Sequence, residues 1–311
     1  MKALYYVVYG LWYAFSLLPL RVHYVLSDVL YLLVYRLAGY RVGIVRKNLE
    51  HSFPEMTVAE LRQTERRFYH WFCDYLVETV KLLTIRRDHL RRRMEFRGVE
   101  AVDRCVREGQ SCAVYLGHLG NWEWIASLPL WVTAEAQCGQ IYHALENATF
   151  DQLFLRLRQR WGAVCIPMAE ILRRSVEFRR KGQATVIGYI ADQVPFWNNI
   201  HHWCQFLHQD TPVLTGTERI ARKMNQALFY IDVSRPRRGH YVAEFKLITR
   251  QPAELGEYEA TDRYFSLLEQ SIRRQPELWL WTHNRWKRTR EEFDRRFIVV
   301  DGKVMPKEER Q

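Results

Sequence analysis

The chain has 311 residues, with 46 Lys plus Arg against 35 Asp plus Glu and a formal net charge of +11. That length fits one large domain or two small ones, and an apolar share of 48% is ordinary for a globular protein. Six cysteines without a C-x-x-C pair exclude a zinc ribbon or a dithiol redox motif, and they read as reduced thiols facing a cytosolic compartment, with Cys112 and Cys165 in apolar core segments.

Aromatic content narrows the partner. The 11 Trp, 17 Tyr and 15 Phe combined with the positive charge suit a membrane interface, where aromatic rings and basic side chains both prefer to sit. Nucleic acid is the rival partner for a basic chain.

Between Lys2 and Arg21 lie 18 uncharged residues, just enough to cross the hydrocarbon core as a helix. A second apolar helix is expected over residues 22–35, interrupted by Asp28 and either lying on the surface or packing on the globular part. Arg36, Arg41, Arg46 and Lys47 follow, against Lys2 alone on the other side, so a spanning segment leaves the body in the cytoplasm. A buried hairpin of a soluble domain is the other reading of residues 1–40. Residues 41–311 are expected to form one domain, with no internal repeat.

Residues 58–85 carry a helical pattern, closed by the basic cluster Arg86, Arg87, Arg91, Arg92 and Arg93, either a solvated helix face or a phosphate site. Strands are then expected at residues 112–116, 139–142, 184–190, 228–233 and 242–248, and helices at 122–131, 150–161, 169–181 and 216–224. That alternation predicts an α/β domain: a mainly parallel mixed sheet flanked by helices, with ligands at the carboxyl ends of its strands.

The stretch His118-Leu119-Gly120-Asn121-Trp122-Glu123 sits at such an end. It sets a candidate general base beside a candidate orienting carboxylate, with Asn121 as the N-cap of the next helix. The spacing alone is weak, because about one His-x4-acid match is expected by chance in a chain of this composition. Asp192-Gln193 closes the strand before it and falls near the same mouth, or in a turn with Pro195. His201 and His202 have no acid or Cys at ligand spacing, so no metal is assigned. Trp279, Trp281 and Trp286, interleaved with Arg285, Lys287, Arg288 and Arg290, suit a helix resting on an anionic membrane, a stacking surface for single-stranded nucleic acid or a partly buried terminal helix.

Several ordered motifs match together. Gly117 through Glu123, Arg160-Trp161-Gly162-Ala163, Ala191-Asp192-Gln193-Val194-Pro195, Phe206-Leu207 with Thr211-Pro212-Val213 and Gly216, and the closing Trp279 through Lys287 resemble the lipid A biosynthesis acyltransferases. These are the late acyltransferases of bacterial lipopolysaccharide assembly, within the glycerolipid acyltransferase fold group. The resemblance covers nearly the whole chain and implies acyl transfer from acyl carrier protein to a hydroxyl of a lipid A precursor. It places the reaction at the cytoplasmic face of the inner membrane, with no cofactor, no metal and no nucleic acid. It makes His118 the general base, oriented by Glu123. Asn121 in the motif, and Asp192 and Gln193 at the carboxyl edge, are the expected substrate-binding residues. Where the family carries an arginine after the strand following the motif, this chain has Tyr142-His143-Ala144. Arg156, Arg158 and Arg160 are then the candidates to bind phosphate. Two rivals remain: an acyltransferase for another membrane acceptor (glycolipid, aminolipid or lysophospholipid), and a non-catalytic basic protein binding membrane or nucleic acid.

Overall fold

A computed structural model describes residues 2–300 and 302–307. Two helices open the chain, Lys2–Leu17 (α1) and Leu20–Tyr31 (α2), the latter extended by a π-helical stretch Leu32–Leu37. Val42–Ser52 (α3), Val58–Lys81 (α4) and Arg87–Arg91 (α5) precede the first strand, Met94–Arg97 (β1), and Val99–Arg107 (α6). Strands Cys112–Leu116 (β2), Gln137–Tyr142 (β3), Val164–Pro167 (β4) and Thr185–Ile190 (β5) follow, with Ala148–Gln159 (α7) and Ile171–Arg180 (α8) between them. A hairpin His202–Phe206 (β6) and Gln209–Val213 (β7) leads to Gly216–Met224 (α9), Ala227–Arg237 (β8), His240–Thr249 (β9) and Glu259–Arg274 (α10). Arg290–Arg296 (α11) and the ribbon Phe297–Val300 (β10) with Lys303–Pro306 (β11) close the described chain.

Seven strands form one sheet in the order β1-β9-β8-β2-β5-β3-β4. Pairing is parallel throughout except between β8 and β9, the mixed, mainly parallel sheet that the sequence pattern implies. β2 lies at the centre with all five residues buried, as expected of a parallel strand covered on both faces. Tyr264 of α10 stacks on Tyr115 at 4.4 Å and donates its hydroxyl to the carbonyl of Leu116 at 2.7 Å, tying helix to sheet where β2 ends.

The expected helix over residues 122–131 is instead a 3-10 segment, Trp124–Leu130, with i→i+3 bonds such as Trp124 N–H to Asn121 O. Pro129 inside it has no N–H to donate, which disfavours an α-helix over so short a stretch.

No single described helix is long and apolar enough to cross a membrane. The expected 18-residue span breaks near Pro19, and the two arms Tyr5–Leu17 and Leu20–Leu37 are bent by 111°. The inner side of this elbow is pinned to α4: Ser27 donates to Asp74 at 2.7 Å, Trp12 Nε1 to the carbonyl of Val80 at 3.2 Å, and Lys81 to the carbonyl of Ser16 at 2.7 Å. Its outer side leaves Tyr6, Leu11, Val25, Leu33 and Leu37 exposed.

The closing tryptophans are not on a surface helix. Trp281 is fully buried and Trp279 nearly so, in irregular backbone between α10 and α11, and Trp281 Nε1 donates to the carbonyl of Pro276 at 2.6 Å. Apolar burial of two indoles outweighs the flanking charge, so the reading of this segment as a membrane-resting helix is corrected.

Candidate active site

Strand register builds the site. β2 and β5 are parallel neighbours with Leu116 opposite Ile190, so two residues further on His118 and Asp192 stand side by side. The turn bearing His118 is held from the other flank by the closing segment: Gly120 N–H donates to Leu278 O at 2.8 Å and Leu280 N–H to His118 O at 3.1 Å. Gly120 has φ +59° and lies so close to the sheet that a Cβ would sit 2.5 Å from Val233 Cγ1.

His118 Nδ1–H donates to Asp192 Oδ1 at 2.6 Å. Asp192 Oδ2 accepts from the His118 backbone N–H at 2.8 Å and from Trp279 Nε1–H at 2.7 Å. A carboxylate is acceptor-only, so it fixes the Nδ1–H tautomer and leaves the Nε2 lone pair free to accept. Gln193 Nε2 donates to it at 3.2 Å. Trp122 meets the imidazole edge-on, ring centroids 5.1 Å apart. Burial pushes the Asp192 carboxyl up, but the charge interaction with His118 and the hydrogen bonds from His118 and Trp279 outweigh it and hold the group at about 2.

Glu123 does not take the orienting role expected for it. Both its oxygens are occupied by Arg158, Nε to Oε2 at 2.8 Å and Nη2 to Oε1 at 2.6 Å, a bidentate pair behind the turn. Burial pulls the guanidinium down, yet the Glu123 carboxylate outweighs it and raises Arg158 above its ordinary value. The acid on the imidazole comes from the next strand rather than from the next helical turn.

The other candidates separate. Asn121 is fully buried, accepting from Trp124 N–H at 3.1 Å and donating to Glu78 at 2.8 Å, while the residue that precedes the 3-10 segment as its N-cap is Glu123 rather than Asn121. Arg156 lies over the ring of Tyr9 of α1 at 4.5 Å, and Arg160 donates to the carbonyl of Leu82 at the end of α4 at 2.6 Å, so of the three only Arg158 reaches the motif. Of the basic cluster, Arg91 donates to the carbonyl of Leu130 and Arg93 to that of Gly239, while Arg87 and Arg92 are exposed. His202 Nε2 pairs with Asp262 at 2.7 Å. All six cysteines are free thiols, Cys112 buried and Cys165 half-buried.

The sequence pattern does not disclose two residues of the site. Trp279 has the composition of a surface aromatic segment although it anchors Asp192, and Glu78 carries only a faint signal, a second acid four residues after Asp74 on a helix face shared with Trp71 and Tyr75. Beside the site runs an apolar seam of about 30 Å³ lined by Leu116, Trp122, Ile125, Leu128, Gly188 and Ile190.

No curated relative matches the chain significantly. The model of the family described as bacterial lipid A biosynthesis acyltransferase matches residues 1–288, nearly all of the chain and the whole of the site, and the protein belongs to that family.

Proposed function

We propose that this acyltransferase moves a fatty acyl chain from acyl carrier protein to a hydroxyl of a lipid A precursor, with His118 as general base oriented by Asp192. The observation that carries the reading is the Asp192–His118 hydrogen bond of 2.6 Å at the carboxyl edge of the sheet, in a chain of this family. The acceptor hydroxyl displaces the Gln193 amide from His118 Nε2 and gives its proton to that nitrogen. Its oxygen attacks the thioester carbonyl, forming a tetrahedral oxyanion to which the freed Gln193 N–H donates. Collapse breaks the carbon–sulfur bond, and the departing thiolate takes the proton back from Nε2. The thioester is already activated, so positioning and oxyanion stabilisation supply most of the catalysis.

The apolar seam receives the start of the acyl chain, and its wall is the 3-10 segment Trp124–Leu130, whose i→i+3 bonds are weaker than those of an α-helix. The elbow of α1 and α2 lies in the plane of the cytoplasmic leaflet of the inner membrane, its exposed apolar side in the lipid. The net charge of +11 steers both an acidic carrier and a phosphorylated acceptor toward the enzyme.

The test incubates detergent-solubilised protein, wild type and His118→Ala, with a panel of acyl carrier protein thioesters and a lipid A precursor, and weighs the lipid product. A gain of one acyl group with wild type alone supports the reading. Equal gain with the variant removes His118 as the base. Tyr142-His143-Ala144, which departs from the arginine that the family resemblance leads one to expect there, favours another membrane lipid as the second acceptor to try, and no gain with the precursor turns the assignment to it.

A further inference from the structure

Glu78 sits in the last turn of α4 with no exposed surface, where a carboxylate is costly unless its oxygens are hydrogen-bonded. Three donors from three parts of the chain meet that need. Oε2 accepts from Asn121 Nδ2 at 2.8 Å and from the Tyr241 hydroxyl of β9 at 2.8 Å, and Oε1 accepts from the Tyr24 hydroxyl of α2 at 2.9 Å. Its backbone carbonyl also accepts from Trp124 Nε1 at 3.2 Å. Nearby Arg235 is bound instead to Asp74, at 2.5 Å.

Asn121 explains what this arrangement does. Its Oδ1 is committed to Trp124 N–H at 3.1 Å, which fixes the amide so that Nδ2 points at Glu78. Both groups are buried, so an unmet donor there costs its full desolvation. Asn121 stands three residues after His118 in the turn that carries it. Whatever fixes Asn121 therefore fixes the path of the backbone on which the imidazole is aimed.

We propose that Glu78 is a positioning residue for acyl transfer: through Asn121 it holds the turn so that His118 Nε2 faces the acceptor hydroxyl. Glu78 touches neither His118 nor substrate. The proposal rests on the reading of His118 as the base, and it adds a requirement for a buried acceptor one helix away from the chemistry.

A complementarity swap tests it. Steady-state kcat and KM for acyl transfer are measured on wild type, Glu78→Gln, Asn121→Asp and the double variant, with thermal melts to establish that each is folded. In Glu78→Gln the new amide oxygen can face Asn121 while its NH2 meets the Tyr24 hydroxyl oxygen, so kcat stays within about threefold of wild type. Asn121→Asp sets two carboxylates face to face, and kcat falls about tenfold or more with little change in KM. In the double variant the amide NH2 faces the new carboxylate, Tyr24 donates to the amide oxygen, and kcat returns toward wild type. A harmless Asn121→Asp, or a double variant no better than Asn121→Asp, overturns the proposal. Recovery of the melting temperature without recovery of kcat does the same, because it leaves Glu78 a purely structural role. Wild type without transfer on any acceptor overturns instead the function on which the proposal rests.

Discussion

Asp192 and His118 lie 74 residues apart in sequence and 2.6 Å apart in the fold, because β2 and β5 are parallel neighbours that end level with each other. The carboxylate both selects the imidazole tautomer and stabilises the imidazolium formed when a proton arrives at Nε2.

Asp192→Asn removes that charge and is expected to lower kcat by about 100-fold or more, with KM little changed. The same pair makes stability depend on acid. The carboxyl is held at about 2 against an ordinary 3.8, so its contribution is fully present above 3.8 and disappears as pH falls through about 2. That contribution is about 2 kcal/mol. Urea melts at pH 5 and pH 2 should show a loss in wild type that Asp192→Asn lacks, and parallel losses in both proteins would assign the acid sensitivity elsewhere.

Glu123 and Arg158 give the opposite signature. Their paired side chains are 3% and 19% exposed, so Arg158→Ala leaves a buried carboxylate without its partner, costing about 3–5 kcal/mol. In a chain of this size the melting temperature should drop by about 5–8 °C. Glu123→Gln should reduce kcat less than Asp192→Asn does. A Glu123→Gln protein that melts normally yet is as inactive as Asp192→Asn would restore Glu123 as the acid that orients His118.

These contrasts bear on what the sequence discloses. The buried run 112–116 and the helix Gly216–Met224 were legible from periodicity and flanking residues, because apolar patterning is local. The match of Asp192 to His118 was not, since it depends on which strands are neighbours, and nothing in either segment records that order. Glu123 is the nearer partner in sequence, and a turn running directly into an α-helix would bring it back toward His118. Pro129 and the 3-10 geometry of Trp124–Leu130 changed that local frame. Trp279 misled for another reason: indoles among basic residues have the same composition on a membrane surface and in a core, and only the fold buries one of them against Asp192.

The elbow of α1 and α2 predicts how the protein meets lipid. Leu11, Val25 and Leu37 are 69%, 63% and 78% exposed, so Leu11→Glu, Val25→Glu and Leu37→Glu should each leave the melting temperature within about 2 °C of wild type. Together they should abolish co-sedimentation with phosphatidylglycerol vesicles. Retained binding by the triple variant would place the lipid contact on another face.

Gly188 sets the last expectation, for the acyl chain. It lines the seam from the β5 side, and a Cβ there would lie 2.9 Å from Leu116 Cδ1, at the wall shared with the strand that leads to His118. Gly188→Ala therefore narrows the seam by about one methyl group while the flexible end of Leu116 gives way, and the fold is kept. In an apolar pocket one methylene is worth about 1–3 kcal/mol of discrimination, so kcat/KM for the longest accepted donor should fall roughly tenfold relative to a donor two carbons shorter. Competition between carrier thioesters of different length, read by product mass, measures that ratio directly. An unchanged ratio with Gly188→Ala would mean that the acyl chain takes another path from the thioester, because a chain lying in this seam has to pass the added methyl.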